Sequence, residues 1–392
     1  MTTLHDRMNA QGASFTGFDY LRIGLSIAVL VWHSVWLSTG DRVVDVAIWT
    51  GPFRFLVAAI VPVFFALSGF LVAGSLARTT LPQFIALRAL RLIPALAVEI
   101  ALSVLVVGLA FTTLPRSAYL TDPRVYSYFL NIVGDIHVRL PGVFATNRGG
   151  VAVNGQLWTI PFEMECYAAL AVLALTTVLR RRFAFAALVI GAVLVATVAA
   201  FTFAPIRQDA EVPGRALVVA FLAAVALYRH RDAIPYSNTL GAASAILGAT
   251  LLLTPNGAYL SALPIAYMTV WLGLKRLPPI PFGDLSYGVY LFHYPIEQSL
   301  AHVFPGIHAW WMLSLVALPL TAACAFASWT FVERPILNRK KSVLLWIDGV
   351  SARVSAEAAD EGERAREAFS RLRQRRFAIF RLLNRPLRSP TS

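Results

Sequence analysis

The chain has 392 residues, 57% of them hydrophobic and 14% charged, with a mean hydropathy of +0.65. That composition excludes an ordinary soluble domain and marks a membrane protein. The formal charge of +13 fits Lys and Arg gathered in the loops on one side of a membrane; no soluble basic domain carries it, so nucleic acid is not an expected partner.

The first apolar run, near residues 18–38, is too long for the core of a cleaved signal and holds an arginine, which predicts a retained transmembrane helix. It begins FDYLRIGLSIAVLVWHS, with Asp19 and Arg22 at its start, Ser26 within it and His33 further along. At 3.6 residues per turn Arg22 and His33 share a face, about 16 Å apart along the axis. Further apolar windows lie near 52–76, 92–112, 158–179, 183–204, 214–228, 236–254, 257–274, 284–304 and 309–331. The expected fold class is therefore all-α, a polytopic membrane helix bundle with about ten transmembrane helices. Arg78, Arg88 and Arg91, then Arg180 to Arg182, Arg229 with Arg231, and Lys275 with Arg276 fall on alternate loops. By the positive-inside rule these loops and both termini are cytoplasmic.

The domain organisation predicted is a membrane-embedded part over 1–337 and a charged tail over 338–392. Within the first, a long extracytoplasmic loop over 113–157 has the length of a lid or binding loop, with a plain solvated loop as the alternative. No internal repeat is evident, which disfavours inverted-repeat transporters. In the tail, AFSRLRQRRFAIFRLLNRPLR predicts a basic amphipathic helix over 368–388 resting on anionic membrane lipids, against a flexible basic tail as the duller reading. Cys166 and Cys324 lie in apolar spans and read as small hydrophobes.

Ionisable groups in hydrocarbon are expensive, so each is a candidate functional residue. With 1.5 Å per residue, His33 and Glu163 of NGQLWTIPFEMECY both fall about 8 Å below the outer face. A histidine titrates near neutral pH and a carboxylate at its depth would orient the ring and stabilise the imidazolium, a pairing able to activate a hydroxyl. A second group gathers on the inner side: Arg22, Ser68 and Gly69 of VFFALSGFLV, and Arg88 and Arg91 of RALRLIP, a cluster suited to an anionic ligand or to simple anchoring. Tyr290 and His293 in LSYGVYLFHYP lie near mid-membrane, and Glu333 of VERP lies at the inner face beside an arginine partner.

These motifs, in this order over residues 18 to about 337, resemble the acyltransferase 3 family of integral-membrane O-acyltransferases. The resemblance implies transfer of an acyl group, most often acetyl, from cytoplasmic acyl-CoA to a hydroxyl of an extracytoplasmic or lipid-linked glycan such as lipopolysaccharide or exopolysaccharide, in a bacterial inner membrane. It implies His33 and Glu163 as catalytic residues. Arg22, Ser68, Gly69, Arg88 and Arg91 become donor-binding residues, and Asp19, Trp158, Tyr167, Tyr290, His293 and Glu333 supporting ones. Acyl-CoA enters as a donor substrate; no bound cofactor or metal is expected, and a homo-oligomer is compatible with the pattern. Where relatives often carry two adjacent glutamates, this chain has Glu163, Met164 and Glu165, which puts a two-carboxylate role in doubt. An esterase-like domain found after the last span in many relatives is not expected in the short tail. Two readings of other classes stay open: a proton-coupled glycan transporter or flippase using Arg22, His33 and Glu163 as a relay, and a structural subunit in which the charges merely pair.

Overall fold

The computed structural model describes residues 2–353 except 13, 14, 41, 204 and 205, with a few isolated residues beyond 353. It forms two units, Met1–Asn338 and Arg339–Ser392. In the second, residues 340–353 are helical, and the expected basic helix over 368–388 lies outside the described residues apart from 369 and 372.

The first unit is helical throughout, with no strand among the described residues and only two isolated bridges, Thr3 to Pro235 and Thr112 to Val143. A short α1 (Leu4–Gln11), opened by a Thr3/Asp6 capping box, precedes the long α2 (Thr16–Thr39). A small α3 (Arg42–Thr50) leads to α4 (Arg54–Leu76) and α5 (Leu81–Leu102), which continues through a π-helical stretch, Ser103–Gly108, into α6 (Leu109–Phe111). The long loop carries α7 (Arg116–Thr121), α8 (Pro123–Ser127) and two 3₁₀ turns, the second of which opens α9 (Ile160–Leu175). Then follow α10 (Thr177–Arg180), α11 (Arg182–Thr202), α12 (Gly214–Arg229), α13 (Asn238–Leu252), α14 (Ala262–Gly273), α15 (Ser286–Val303), α16 (Trp310–Ser328) and α17 (Arg334–Asn338).

A helix occupies each apolar window expected from sequence. Six stretches among the described residues are long and apolar enough to cross a membrane: Thr16–Thr39, Arg54–Leu76, Leu81–Phe111, Gly155–Leu175, Arg182–Thr202 and Trp310–Arg353. The protein is an integral membrane protein by this measure. Helices α12, α13 and α14 span 16, 15 and 12 residues and are short for a crossing, and α15 carries His293, Glu297 and His302.

The core has three parts. One packs α4 against α12 and α14 with Phe65, Phe70 and Phe221 inside. A second packs α5 and α15 against the long loop, where Tyr119, Tyr128 and Phe144 are fully buried. A smaller third joins Leu37 of α2, Tyr294 and Leu300 of α15, and Leu313 and Ala317 of α16. The loop is thus folded against the bundle. Asn147 donates to Gln298, and Trp36 to Gly149. Glu99, on α5, accepts from Ser103 and Asn154, and Asn154 also meets Tyr128, so the NGQ start of the tryptophan motif is anchored to α5. Backbone and side-chain groups buried in an apolar bundle require such partners.

Helices α2 and α15 lie side by side and run in the same direction: Arg22 meets Asp284 just before α15, and eleven to twelve residues on His33 meets His293 and Ser34 meets Glu297. Glycine serves close approach at Gly69, where a Cβ would come within 2.2 Å of the Phe221 carbonyl oxygen of α12. Small residues at such crossings let membrane helices pack backbone to backbone. Gly69→Ala is therefore expected to separate α4 from α12 and lower the melting temperature in detergent by several degrees, about 1–3 kcal/mol; an unchanged melting curve would show that α12 yields without cost.

Candidate active site

Two polar clusters sit at the two ends of α2. At its N-terminal end Arg22 pairs with Asp19 (2.5 Å) and with Asp284 (3.0 Å). Asp284 also pairs with Arg91 (2.6 Å), and Arg91 reaches the buried Glu333 (3.4 Å), which a π-helical turn at Trp329–Glu333 turns inward. Burial opposes the charge on Asp284, in the loop before α15, but Arg91 and Arg22 outweigh it and hold its carboxyl at about 2. Asp284 is therefore charged across the physiological pH range.

Sequence reasoning overlooked Asp284. Its signal was present, since an aspartate two residues before an apolar helix, bonded to Ser286, is a helix-start pattern. Two of the arginines expected to hold an anion, Arg22 and Arg91, are thus committed to carboxylates. Arg88 makes no ion pair among the described residues; it lies over the Tyr167 ring at 5.9 Å with its Nε lacking a partner. Ser68 reaches the same phenol, while Gly69 faces α12 as described above.

Glu163 belongs to this first cluster. It accepts a 2.5 Å hydrogen bond from Tyr167 and its nearest opposite charges are Arg91 and Arg88. The expectation that Glu163 would orient the His33 ring is not met: among the described residues, neither is a hydrogen-bond or charge partner of the other. Equal depth along two helix axes does not make residues face each other. Trp158 stands at the cavity of His33, and Glu163, five residues on and about 7 Å further along the axis, has turned toward the arginines. Glu165, two residues beyond, pairs instead with Arg215.

The ring that meets His33 is His293, from α15, with His33 Nδ1 2.8 Å from His293 Nε2 and the two planes within 16°. The tautomers follow from the surroundings. His293 Nδ1 lies 2.8 Å from the Tyr290 carbonyl and 3.2 Å from that of Val289. Carbonyls only accept, so Nδ1 carries the proton; in the neutral ring Nε2 accepts from His33 Nδ1, and His33 Nε2 keeps its lone pair. The Tyr290 hydroxyl is fixed by Thr159 and by the Gln156 carbonyl, and Gln156 donates to the Leu291 carbonyl. Gly155 leaves room for the Tyr294 ring, which stands edge-on to His33 at 5.0 Å. The tryptophan motif thus acts largely by shaping the bed of these rings.

His33 lines a cavity of about 250 Å³ walled by Trp32, Trp36, Trp49, Trp158, Tyr290 and Tyr294, with Asp45 and Glu211 among its lining residues. The buried Arg54 ties the segments that carry these acids, donating to the carbonyls of Trp49, Gln208 and Ala210. Burial raises the Glu211 carboxyl and nearby Asp45 adds to the effect; burial also raises Asp45, against a Trp49 hydrogen bond and Arg42. Asp45 lies on the short α3 and Glu211 in the connection between α11 and α12, outside the apolar windows that the sequence marks.

Glu297 was also missed, though a glutamate four residues after His293 inside an apolar helix was a readable signal. His33, His293 and Glu297 have ligand atoms within 4.8 Å of one another, the spacing of a metal site among the described residues. His33 Nδ1 and His293 Nε2 are joined by a hydrogen bond.

A membrane bundle presenting a basic imidazole to an aromatic cavity at one end and an arginine cluster at the other has the parts of a group-transfer enzyme. An acyltransferase domain matches residues 15–332, so the chain belongs to the acyltransferase 3 family and is an O-acyltransferase. It is 26% identical over 366 residues to nodulation protein 10 of Rhizobium leguminosarum bv. viciae, covering 83% of this chain and 94% of that one. It is 23% identical over 351 residues to the O-acetyl transferase of Shigella phage Sf6, covering 83% and 97%. No solved structure matches it.

Arg91→Ala leaves Asp284 and the buried Glu333 without their shared cation and is expected to destabilise the fold by about 2–4 kcal/mol, reduced from a fully buried pair because the arginine is partly exposed. The loss of folded protein on detergent size exclusion measures it, and Arg91→Lys, which keeps one ion pair, should recover part of it.

Proposed function

We propose that the protein transfers an acyl group, most simply acetyl, from cytoplasmic acyl-CoA to a hydroxyl of an extracytoplasmic or lipid-linked glycan. The observation that carries this reading is a histidine whose tautomer is set by a second histidine and whose free nitrogen belongs to a ring lining a tryptophan-walled cavity. Such walls stack on sugar faces, carboxylates such as Asp45 and Glu211 accept from sugar hydroxyls, and the volume suits about one pyranose ring. The name of the phage relative supports acetyl as the group and oxygen as its destination.

In the reaction, His33 Nε2 takes the acceptor hydroxyl proton as the oxygen bonds to the thioester carbon. The carbon–sulfur bond then breaks, and the leaving thiolate recovers the proton from His33 to give the free thiol. The donor's phosphates rest near Arg88, which of the three makes no ion pair among the described residues and has only Glu163 as a more distant opposite charge, while Arg22 and Arg91 hold the surrounding frame. The pantetheine arm spans the rest, since the two clusters are about 16 Å apart along α2. Ten crossings with both termini cytoplasmic in a bacterial inner membrane place the clusters on the sides this requires. The common direction of α2 and α15 agrees with spans one and nine of an alternating topology.

His33→Ala at matched folded protein is expected to lower transfer of labelled acetyl from acetyl-CoA to a glycan or lipid fraction by at least about 100-fold in membranes. Retained transfer would remove His33 from the chemistry, and flux of unmodified glycan without labelling would establish the transporter reading. Asp45→Asn with Glu211→Gln should raise the acceptor KM about tenfold with kcat nearly kept. Because both carboxyls are raised, acceptor affinity should weaken on acidification at a higher pH than ordinary carboxylates would give.

A further inference from the structure

We infer that Glu297 is the counter-ion of the imidazolium that forms when His33 takes the acceptor proton, a positioning residue acting through the His33–His293 pair; the inference rests on the general-base role proposed above. Glu297 is fully buried on α15, one turn beyond His293. Its Oε1 accepts from the equally buried Ser34 hydroxyl on α2, next to His33, and its Oε2 has no partner. An ion-pairing Arg or Lys is absent from its neighbours among the described residues, so no fixed cation offsets it. A carboxyl so placed is costly unless a positive charge appears beside it. The adjacent groups that can acquire one are the two histidines within 4.8 Å.

The groups around it leave that pairing undisturbed. Helix α2 contributes His33 and Ser34, and α15 contributes His293 and Tyr294. Helix α16, which packs against both, has no charged side chain over Trp310–Ser328 and one titratable group, Cys324, which is exposed. Glu211 reaches toward Tyr294 from the cavity rim, where Asp45 is its neighbour. On α5, Glu99 is spent on Ser103 and Asn154.

The step balances within the site. The proton leaves the acceptor oxygen for His33 Nε2, and the imidazolium charge is shared through Nδ1–H with His293. Glu297 enters the step as the carboxylate and stays one throughout: it compensates this charge until the proton passes to the leaving thiolate, and no other reactant is needed. A negative neighbour makes His33 a stronger base and stabilises its charged form in the transition state.

The test is the pH dependence of acetyl transfer by Glu297→Gln, which keeps an oxygen for Ser34 and removes the charge, with Ser34→Ala as a second variant and His33→Ala as the reference. In Glu297→Gln the acid limb of the rate profile is expected to move about one unit toward lower pH, because a less basic His33 deprotonates earlier, and the plateau rate to fall about tenfold. Ser34→Ala, which loosens the carboxylate, should move both quantities in the same direction by less. If His33→Ala is inactive while Glu297→Gln and Ser34→Ala keep the wild-type limb and plateau, the counter-ion is overturned and the general base stands. If His33→Ala remains active, the general-base reading itself fails. Should Glu297→Gln not fold, an unchanged limb in Ser34→Ala overturns the inference.

Discussion

The structure depends on how an apolar bundle accommodates polar side chains that water cannot reach. Helices α2 and α15 solve this together. Arg22 meets Asp284 at one end of their contact, and His33 meets His293 while Ser34 meets Glu297 at the other. In hydrocarbon an unsatisfied polar group costs several kcal/mol, so these partners fix the two helices in register as well as side by side. A sliding of α15 by one turn would break all three of these pairings. The same contact therefore provides both the alignment of the helices and the placement of the imidazole.

The two ends use pairing differently. Around Arg91 the groups form a ladder of ion pairs, with Asp284 shared by two guanidiniums and Glu333 closing it. Such an arrangement ties together α2, α5, the start of α15 and the end of α16. Around His33 the groups are neutral or titratable, the rings are bonded through a single proton, and a cavity stands beside them. Rigidity at one end and a movable proton at the other is the division that the proposed transfer calls for. Glu163 and Tyr167 join the arginine end, Tyr287 donates to the Leu92 carbonyl beside Arg91, and the Tyr290 carbonyl holds His293 at the other end.

Much of the fold was legible in the sequence because hydrocarbon imposes a simple code: apolar runs of sufficient length, broken by basic loops. The residues of the arginine ladder were legible for the same reason, since Arg22, Arg91 and Glu333 stand out against an apolar background. Their partner Asp284 did not stand out, because an acid at a helix start looks like a cap. The meeting of His33 with His293 was hidden by a sequence separation of 260 residues; depth along a helix can be counted from sequence, but the face it presents to a distant helix is set by packing. Asp45 and Glu211 were hidden in connections too short and polar to suggest a cavity, although Arg54 binds both segments into one rim.

The position of Glu163 shows what this costs an argument from depth alone. A carboxylate and an imidazole at equal depth suggest a catalytic pair, yet here the carboxylate is drawn to Arg88 and Arg91 and the imidazole to another imidazole. The choice has a physical basis. A glutamate beside two guanidiniums gains charge–charge attraction that a neutral ring cannot supply, and a neutral ring beside another neutral ring stays basic without a permanent ion pair to break. Placing the arginine ladder at the other end of α2 keeps its charges from the imidazole and leaves the His33 Nε2 lone pair free for the proposed reaction. The buried carboxyl beside the rings then has its largest effect in that reaction when the proton arrives, which is the role inferred for Glu297.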